Sequence, residues 1–419
     1  MQNVERLLVS CARPSGSGAT RKMIGFKSRS SFKRCARELS KRGLGPVKLI
    51  RGGFILCCNL SRSEASRFNQ LLHHPDIRFV EPDFKIRAHA RPAPFGKAEA
   101  SDAAIKRGKR TRPFLRRGRI GPLPLRGRAH ESAEGTTWNV SRVQAPKVWK
   151  RTKGDGVPVA IIDTGIAPHP DLHIAGGVNT IGGRSYTDDN GHGTHVAGIA
   201  AALGTNGMIP GVAPKVKLFA VKALDAAGEG YISSIIDGID WCIRNGMKVI
   251  NMSFGLSGAT SSALRQSIQR ARRKGIVVIA SAGNGGIFSG GIDEPASFPE
   301  TIAVAASTIQ NQIASFSSRG KGIDVAAPGT AIKSTWPGGG YKTLSGTSMA
   351  SPHVAGGAAL LLAINPKLRP YQISRKLRNT ALKLSGFSSR SQGAGLIRLA
   401  RAAKVSRSGS GAARRRRSK

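Results

Sequence analysis

A serine in a glycine-rich turn, Ser348, lies in residues 346–353, Gly-Thr-Ser-Met-Ala-Ser-Pro-His. The small apolar residues from Ala355 to Leu362 predict a helix directly after this turn. A helix N-terminus offers unpaired backbone N–H groups and the positive end of the helix dipole, so negative charge that develops beside it is stabilised. Ser348 is therefore a candidate nucleophile, and a helix cap is the alternative interpretation.

A serine nucleophile needs a base, a group that orients the base, and an oxyanion donor. Asp163 ends an apolar strand pattern, although such a carboxylate can also cap a turn or bind Mg²⁺. His192 and His195 hint at a metal, but no Glu or Cys lies at ligand spacing and the HExxH pattern is absent, which favours a base. Asn284 lies between two glycines, where its amide could reach an oxyanion or simply form a turn.

Apolar strand patterns alternate with helix patterns around these residues. The predicted strands are Val157 to Ile162, Leu218 to Val221, Val249 to Met252, Ile276 to Ala280 and Ile302 to Ala305. The predicted helices are His192 to Leu203, Ser233 to Asn245 and Ser261 to Lys274. This alternation predicts a parallel sheet with helices on both faces, and ligands bind such sheets outside the carboxyl ends of the strands.

The chain divides into five segments by composition. Residues 1–20 form a polar N-terminal segment that we expect to be mobile. Residues 21–90 have the β-α-β-β-α-β order of a small ferredoxin-like α+β unit, closed by a last strand over 77–86 that Glu81-Pro82-Asp83 interrupts. Residues 91–134 are a basic, Pro/Gly-rich linker that cannot bury a core. Residues 135–402 form the large domain, and 403–419 are a basic tail.

The charge and the cysteines limit the function classes. The net charge of +43 predicts contact with anionic polymers such as nucleic acid, with a solubilising role as the alternative. Aromatic residues do not interleave with the basic runs, so a platform for stacking single-stranded bases is not indicated. The five cysteines form no CxxC pair and no disulfide framework. No apolar run reaches about 18 residues, so we expect no transmembrane segment.

Three segments in the order Asp, His, Ser resemble the subtilisin family of serine proteases. They are 163–165 (Asp-Thr-Gly), 192–198 (His-Gly-Thr-His-Val-Ala-Gly) and 346–352, and the resemblance covers Trp138 to Ala402. It implies a subtilisin-like three-layer α/β fold with a mostly parallel central sheet, and an endopeptidase that works through an acyl-enzyme.

The resemblance implies a role for each candidate residue. Ser348 is similar to the nucleophile, His192 to the general base and Asp163 to the residue that orients it, while Asn284 with the Ser348 N–H is similar to the oxyanion hole. His195 and His353 remain structural histidines. The resemblance also implies that two segments form the walls of the substrate cleft. Their residues are Ser253, Phe254, Gly255, Ser281, Ala282 and Gly283.

Two further expectations concern calcium and specificity. The resemblance implies no organic cofactor but a structural Ca²⁺, with a surface turn as the alternative. Its expected ligands are Asp171, Leu203, Thr205, Asn206 and Ile209. The acids Asp293 and Glu294 lie near the expected base of the primary pocket, where they would favour Lys or Arg before the scissile bond. A solvated surface loop is the alternative for these two acids.

The unit at 21–90 resembles the inhibitory propeptide of the same family, most clearly at Val80-Glu81-Pro82-Asp83. This implies a self-processing zymogen whose propeptide is an intramolecular inhibitor, removed in or after the basic linker. The other expected partners are polypeptide substrates, and we expect a monomer. The resemblance implies secretion, but no signal peptide is visible at the N-terminus, so a cytoplasmic location is the alternative.

Two other hypotheses stay open beside the zymogen. One is a basic anchoring protein with an inactive protease fold, which the four filled catalytic positions argue against. The other keeps the protease and uses the positive charge to target it to DNA or another anionic polymer.

Overall fold

The structure is a computed structural model of the 419-residue chain. It describes residues 3–13, 19–44, 46–61, 65–89, 91–92, 137–205 and 210–404. The predicted linker and the predicted basic tail therefore lie outside the described residues, except at 91–92 and 403–404.

The N-terminal module, residues 3–82, is an antiparallel sheet of four strands with three helices. Its elements are α1 (Val4–Cys11), β1 (Thr20–Phe26), α2 (Arg29–Lys41), β2 (Lys48–Ile50), β3 (Ile55–Leu60), α3 (Ala65–Leu72) and β4 (Ile77–Pro82). The strand order is β2-β3-β1-β4. From β1 onward the elements follow the β-α-β-β-α-β order that the sequence predicts.

The prediction of a mobile N-terminal segment is wrong for residues 3–13, because helix α1 belongs to the module core. Val4, Leu7, Leu8 and Cys11 are buried against α2 and α3. The Asn3 side chain accepts a hydrogen bond from the Glu5 N–H and caps the helix. The apolar spacing i, i+3, i+4, i+7 was present in the sequence and indicates this helix.

The large domain contains eleven strands and nine helices among its described residues, together with a short 3₁₀ helix at Gly286–Phe288. The chain first forms two short strands, β5 (Lys85–Ala88) and β6 (Arg91–Pro92), before reaching this domain. The strands of the domain are β7 (Pro158–Asp163), β8 (Ile174–Asn179), β9 (Lys217–Lys222), β10 (Glu229–Tyr231), β11 (Val249–Met252), β12 (Phe254–Gly255), β13 (Val277–Ser281), β14 (Ile302–Ser307), β15 (Ile323–Pro328), β16 (Ile332–Trp336) and β17 (Gly340–Ser345). The helices are α4 (Trp138–Arg142), α5 (Ala145–Trp149), α6 (His192–Ala201), α7 (Ile232–Arg244), α8 (Ser262–Arg273), α9 (Thr347–Ile364), α10 (Pro370–Thr380), α11 (Ser389–Gln392) and α12 (Leu399–Ala402).

Seven strands form the central parallel sheet, in the order β15-β14-β13-β11-β7-β9-β8. Successive side chains of β7 point to opposite faces: Val159 and Ile161 pack with α6 and α9, whereas Ala160 and Ile162 pack with α7 and α8. Both faces are covered, which is why the strands are continuous apolar runs. The predicted three-layer α/β fold with a mostly parallel sheet is confirmed.

The module sheet packs against the large domain with the face that its own helices leave open. In β3, Leu56 and Cys58 face the module helices, whereas Ile55 and Cys57 join the cluster around α7 and α8. The period of two along the strand separates these two sets.

The end of the predicted small unit does not lie where the sequence indicates. Strand β4 pairs with β1, but β5 leaves the module and pairs antiparallel with both β10 and β12 of the large domain. Strand β6 then pairs with β17. The prediction of one interrupted last strand is therefore wrong, because short strands carry no information about which edge they pair with.

Helix α9 begins at Thr347, eight residues before the predicted Ala355, and runs to Ile364. It is the one helix among the described residues whose length and composition would allow it to cross a membrane. However, 89% of that stretch is buried inside the domain, as expected for the central helix of a folded core.

Candidate active site

Three neighbouring strands of the sheet end at the residues that the sequence selected. Asp163 is the last residue of β7, Ser253 directly follows β11, and Ser281 is the last residue of β13. These strands are parallel neighbours, so their carboxyl ends lie at one edge of the sheet. This is the edge at which α/β proteins bind their ligands.

Asp163 and His192 form a buried pair at this edge. The distance from Asp163 Oδ1 to His192 Nδ1 is 2.7 Å, and the two side chains are 0% and 4% exposed. Burial lowers the pKa of His192, but the charge of Asp163 and its hydrogen bond outweigh this and hold that pKa above the ordinary value. The pair fixes the ring so that its other nitrogen, Nε2, is the one left for chemistry.

Gly193 allows helix α6 to approach the turn after β7 closely enough for this contact. A Cβ at Gly193 would lie 2.1 Å from the carbonyl oxygen of Gly165 and 3.2 Å from Asp163 Cβ. Any larger residue would push His192 away from the strand end.

Asp188 anchors the start of α6, and the sequence reasoning missed it. Its carboxylate accepts hydrogen bonds from the N–H groups of Asn190, Gly191 and Thr194 at 2.8–2.9 Å, and from the hydroxyl of Thr194 at 2.6 Å. It also accepts from the Thr164 hydroxyl at 2.8 Å, which ties the helix to the end of β7. An acid a few residues before a predicted helix start is the signal that could have found it.

Ser348 lies in the first turn of α9, and α9 packs directly against α6. Its Oγ donates to the carbonyl oxygen of Ser253 at 2.7 Å. Among the described residues, His192 Nε2 is buried and has no hydrogen-bond partner. The structure thus brings Asp163 and His192 together, and it directs the Ser348 hydroxyl to the Ser253 carbonyl.

Pro352 explains why the first turn of α9 is tied to Ser253. A proline has no N–H to donate to the carbonyl of the residue four positions earlier, which is Ser348. The Ser253 hydroxyl donates to that carbonyl instead, at 3.1 Å, and accepts from Asn251 Nδ2 at 2.9 Å. The position of Ser348 is therefore fixed from the end of β11.

The Asn284 side chain is oriented by Thr347, the residue before Ser348. Asn284 Oδ1 accepts from the Thr347 N–H and from its hydroxyl, both at 3.0 Å. Because an N–H can only donate, the atom facing Thr347 must be the oxygen, and the amide nitrogen points away from it.

The chain's own segment after the module occupies the cleft beside these residues. Arg87 pairs with Gly255 and Ala88 with Phe254, and the His89 N–H donates to the Ser253 carbonyl at 3.1 Å. Beyond residue 90, Arg91 pairs with Ser345 of β17, three residues before Ser348. His89 is therefore held at the Ser253 carbonyl that Ser348 Oγ also contacts, and Arg91 is held on the strand that leads into Ser348.

The predicted second wall, Ser281 to Gly283, lines the same cleft. The Ser281 hydroxyl lies 2.8 Å from His89 Nδ1. The Gly283 N–H donates to the Thr347 hydroxyl at 3.2 Å, and the Asp293 N–H donates to the Ala282 carbonyl at 3.0 Å. Four of the six predicted wall residues, Ser253, Phe254, Gly255 and Ser281, thus contact the segment that includes His89, whereas Ala282 and Gly283 bond to Asp293 and Thr347.

The large domain matches the model of the family described as Subtilase family over residues 154–395. The chain belongs to this family. It is 47% identical to Subtilisin Savinase of Lederbergia lenta over 267 residues, which is 63% of this chain and 97% of that protein. It is also 47% identical to Subtilisin E of Bacillus subtilis (strain 168) over 283 residues, 66% of this chain and 73% of the relative. The subtilase is accordingly a serine-type endopeptidase that acts on polypeptides.

The subtilase holds its other two predicted histidines as buried neutral groups. His195 Nε2 contacts the carbonyl oxygens of Ile332 and Lys342, and burial lowers its pKa to about 3. Burial likewise lowers the pKa of His353 to about 4. These contacts agree with the structural role that the sequence analysis gave both residues.

The expected calcium site is only partly within the described residues of the subtilase. Asp171 is buried, and its carboxylate accepts from the Gly204 N–H at 2.7 Å and from the Tyr341 hydroxyl at 3.2 Å. Donors that point at a carboxylate satisfy it without a metal, and no cluster of three or more His, Cys, Asp or Glu occurs in the described parts of the chain. Asn206 and Ile209 lie outside the described residues.

Proposed function

We propose that the subtilase hydrolyses peptide bonds through Asp163, His192 and Ser348, with Asn284 as the oxyanion donor. Ser348 Oγ gives its proton to His192 Nε2 and forms a bond to the substrate carbonyl carbon. The proton then passes to the departing amine as the C–N bond breaks, which leaves an acyl-enzyme. A water molecule attacks the ester with His192 again as base, and the acid product leaves with Ser348 regenerated.

One observation carries this proposal: the Ser348 hydroxyl and the His89 N–H converge on the same carbonyl, that of Ser253. A peptide bound along β12 is thereby led to the nucleophile. A rotation about the Cα–Cβ bond of Ser348 would exchange its bond to Ser253 for one to His192. The buried, unpartnered Nε2 of His192 supports that exchange, because an unsatisfied buried nitrogen costs about 1–3 kcal/mol.

Substrate recognition follows from the way β5 lies between β10 and β12. Arg87 pairs with Glu229 on one side and with Gly255 on the other, so an extended peptide completes a three-stranded sheet. Backbone pairing of this kind gives affinity with little dependence on side chains. Ile86 is 1% exposed and packs into the cluster around α7, which supplies an apolar subsite.

Contacts between the end of the N-terminal module and the large domain support the module as an intramolecular inhibitor. Glu81 accepts from the hydroxyls and N–H groups at the start of α8, including Ser261 Oγ at 2.5 Å and Ser262 Oγ at 2.7 Å. Asp83 accepts from the N–H of Ser233 at 2.8 Å and from its hydroxyl at 2.6 Å at the start of α7. Each carboxylate lies at a helix N-terminus, where the dipole favours negative charge.

The zymogen would be cut first at the bond between His89 and Ala90. β5 precedes this bond and pairs with β12, and β6 follows it and pairs with β17, the strand that leads into Ser348, which is the arrangement we expect of a bound substrate. This position lies just before the linker, whereas the sequence placed the cut in or after it. Later cuts within the linker are compatible with this first one.

Glu81→Gln should weaken the hold of the cleaved module on the enzyme about tenfold. The substitution keeps an acceptor but removes the charge that the start of α8 stabilises. The readout is the concentration at which the self-cleaved complex begins to cleave a reporter peptide on dilution. Glu38→Gln is the matched control, because Glu38 pairs with Arg42 on the exposed side of α2. Equal behaviour of the two variants would contradict the docking role of Glu81.

Asn284→Ala should lower the turnover of a reporter peptide by about 10²–10³ with KM little changed. The amide is expected to bind the oxyanion only when the carbonyl becomes tetrahedral, so its loss affects the transition state and not the bound substrate. Steady-state kinetics of the self-cleaved protein test this, and they test the proposed activity at the same time. A KM effect with unchanged turnover would remove Asn284 from the oxyanion hole.

Three finer expectations remain proposals. The basic linker and tail, which lie outside the described residues, are proposed to bind anionic polymers such as nucleic acid. Structural calcium stays a prediction that depends on Asn206 and Ile209. An extracellular location is proposed from the family resemblance, with a cytoplasmic location as the alternative.

A further inference from the structure

The pocket next to Ser348 contains a carboxylate that contacts a basic side chain. His89 Nε2 lies 2.8 Å from Asp293 Oδ2, and the two side chains are 9% and 15% exposed. His89 Nδ1 lies 2.8 Å from the Ser281 hydroxyl. Both ring nitrogens of His89 are thus held by polar groups of the pocket.

Gly255 and Gly283 leave the space that the His89 ring and the Asp293 carboxylate occupy. A Cβ at Gly255 would lie 2.2 Å from the His89 ring and 2.7 Å from Asp293 Cβ. A Cβ at Gly283 would lie 2.8 Å from Asp293 Oδ2. The pocket is therefore a slot between two backbone walls with Asp293 at its end.

Only one of the two acids noted in the sequence faces this slot. Glu294 turns away and accepts from the Ser261 N–H at 2.9 Å, near the start of α8. Its burial raises its pKa. Asp293 has its backbone fixed by the bond to Ala282, and its side chain is directed at His89.

We propose that Asp293 makes the primary pocket selective for a cationic side chain, so that the subtilase cuts after Arg, Lys or protonated His. The inference rests on the proposed function and names its substrate class. An ionised carboxylate can only accept hydrogen bonds, so it favours a side chain that donates an N–H. A Leu in the slot would leave a desolvated carboxylate unpaired, which is unfavourable.

The full chain itself provides the test, because His89 occupies the pocket. Chains with His89→Arg, His89→Lys, His89→Gln and His89→Leu are followed by intact mass as the bond after residue 89 is cut. We expect Arg and Lys to be cut about 10²-fold faster than Leu. The isosteric change Asp293→Asn should remove most of the rate difference between the Arg or Lys chains and the Leu chain. The control Glu294→Gln should preserve that rate difference, since an amide oxygen still accepts from the Ser261 N–H.

The His89→Gln chain separates charge from shape. Among the described residues, Asp293 is the charged group that contacts His89, and Ser281 and Gly255 carry no charge. A Gln side chain donates an N–H but has no charge, so the Gln chain should be cut more slowly than the Arg and Lys chains.

The outcomes distinguish the two levels of the proposal. The cation pocket would be overturned if the chains with Arg, Lys, Gln and Leu at position 89 were cut at equal rates. It would also be overturned if the Arg chain were still cut about 10²-fold faster than the Leu chain after Asp293→Asn. Either result would leave the protease mechanism intact. If no chain is cut and a reporter peptide is also untouched, the proposed catalytic function fails. Cutting of every chain at another bond would show that residue 89 is not read by the pocket, which also overturns this inference.

Discussion

The Ser348→Ala chain should keep its full length under conditions in which the wild-type chain shortens. Removing the hydroxyl removes the acyl-enzyme route, and in a subtilisin the loss of the nucleophile or the base costs about 10⁶ in turnover. The residual activity that binding and the oxyanion hole provide is too small to cut the chain on the timescale of hours. The module should remain joined to the enzyme.

Intact mass and N-terminal sequencing of both chains, followed in parallel over time, give the measurement. The wild-type chain should first yield a new N-terminus at Ala90, followed by later cuts in the linker. Phenylmethylsulfonyl fluoride should add one sulfonyl group to the wild-type enzyme and none to the variant. Shortening of both chains at equal rates would assign the cleavage to a contaminating protease or to another nucleophile.

Asp163→Asn should lower turnover by about 10⁴ and move the acid limb of the pH–rate profile to lower pH. The base must be neutral to accept the Ser348 proton, and the charge of Asp163 holds the pKa of His192 above its ordinary value. Wild-type activity is therefore lost as the pH falls through that raised pKa. Without the charge, burial is the dominant influence and lowers the pKa, so the neutral ring persists to lower pH.

The readout is kcat/KM from pH 5 to 9 for the wild type and the variant. Asp155→Asn is a matched control, because Asp155 loses the same charge in an exposed pair with Lys215 at 3.5 Å, and its profile should match the wild type. An acid limb that stays in place or moves to higher pH in Asp163→Asn would contradict the electrostatic role given to Asp163.

The sequence alone determined the catalytic candidates and the layers of the large domain. Asp163, His192 and Ser348 each follow or begin an element whose period is visible locally, and a parallel sheet necessarily gathers the ends of its strands at one edge. Strands such as Val249–Met252 were predicted with their observed bounds, because a doubly covered strand is apolar throughout and flanked by turns. Local periodicity is sufficient for features of this kind.

Only the tertiary structure decided which surfaces meet. The sequence assigned residues 84–86 to the module, but β5 completes a sheet of the large domain, and nothing in its composition distinguishes the two edges. The contact of His89 with Asp293 joins residues that lie 204 positions apart, and the anchoring by Asp188 depends on how α6 meets β7. The spacing of apolar residues along the chain predicts whether a residue is buried. Which residue it then contacts depends on how elements distant in sequence pack together.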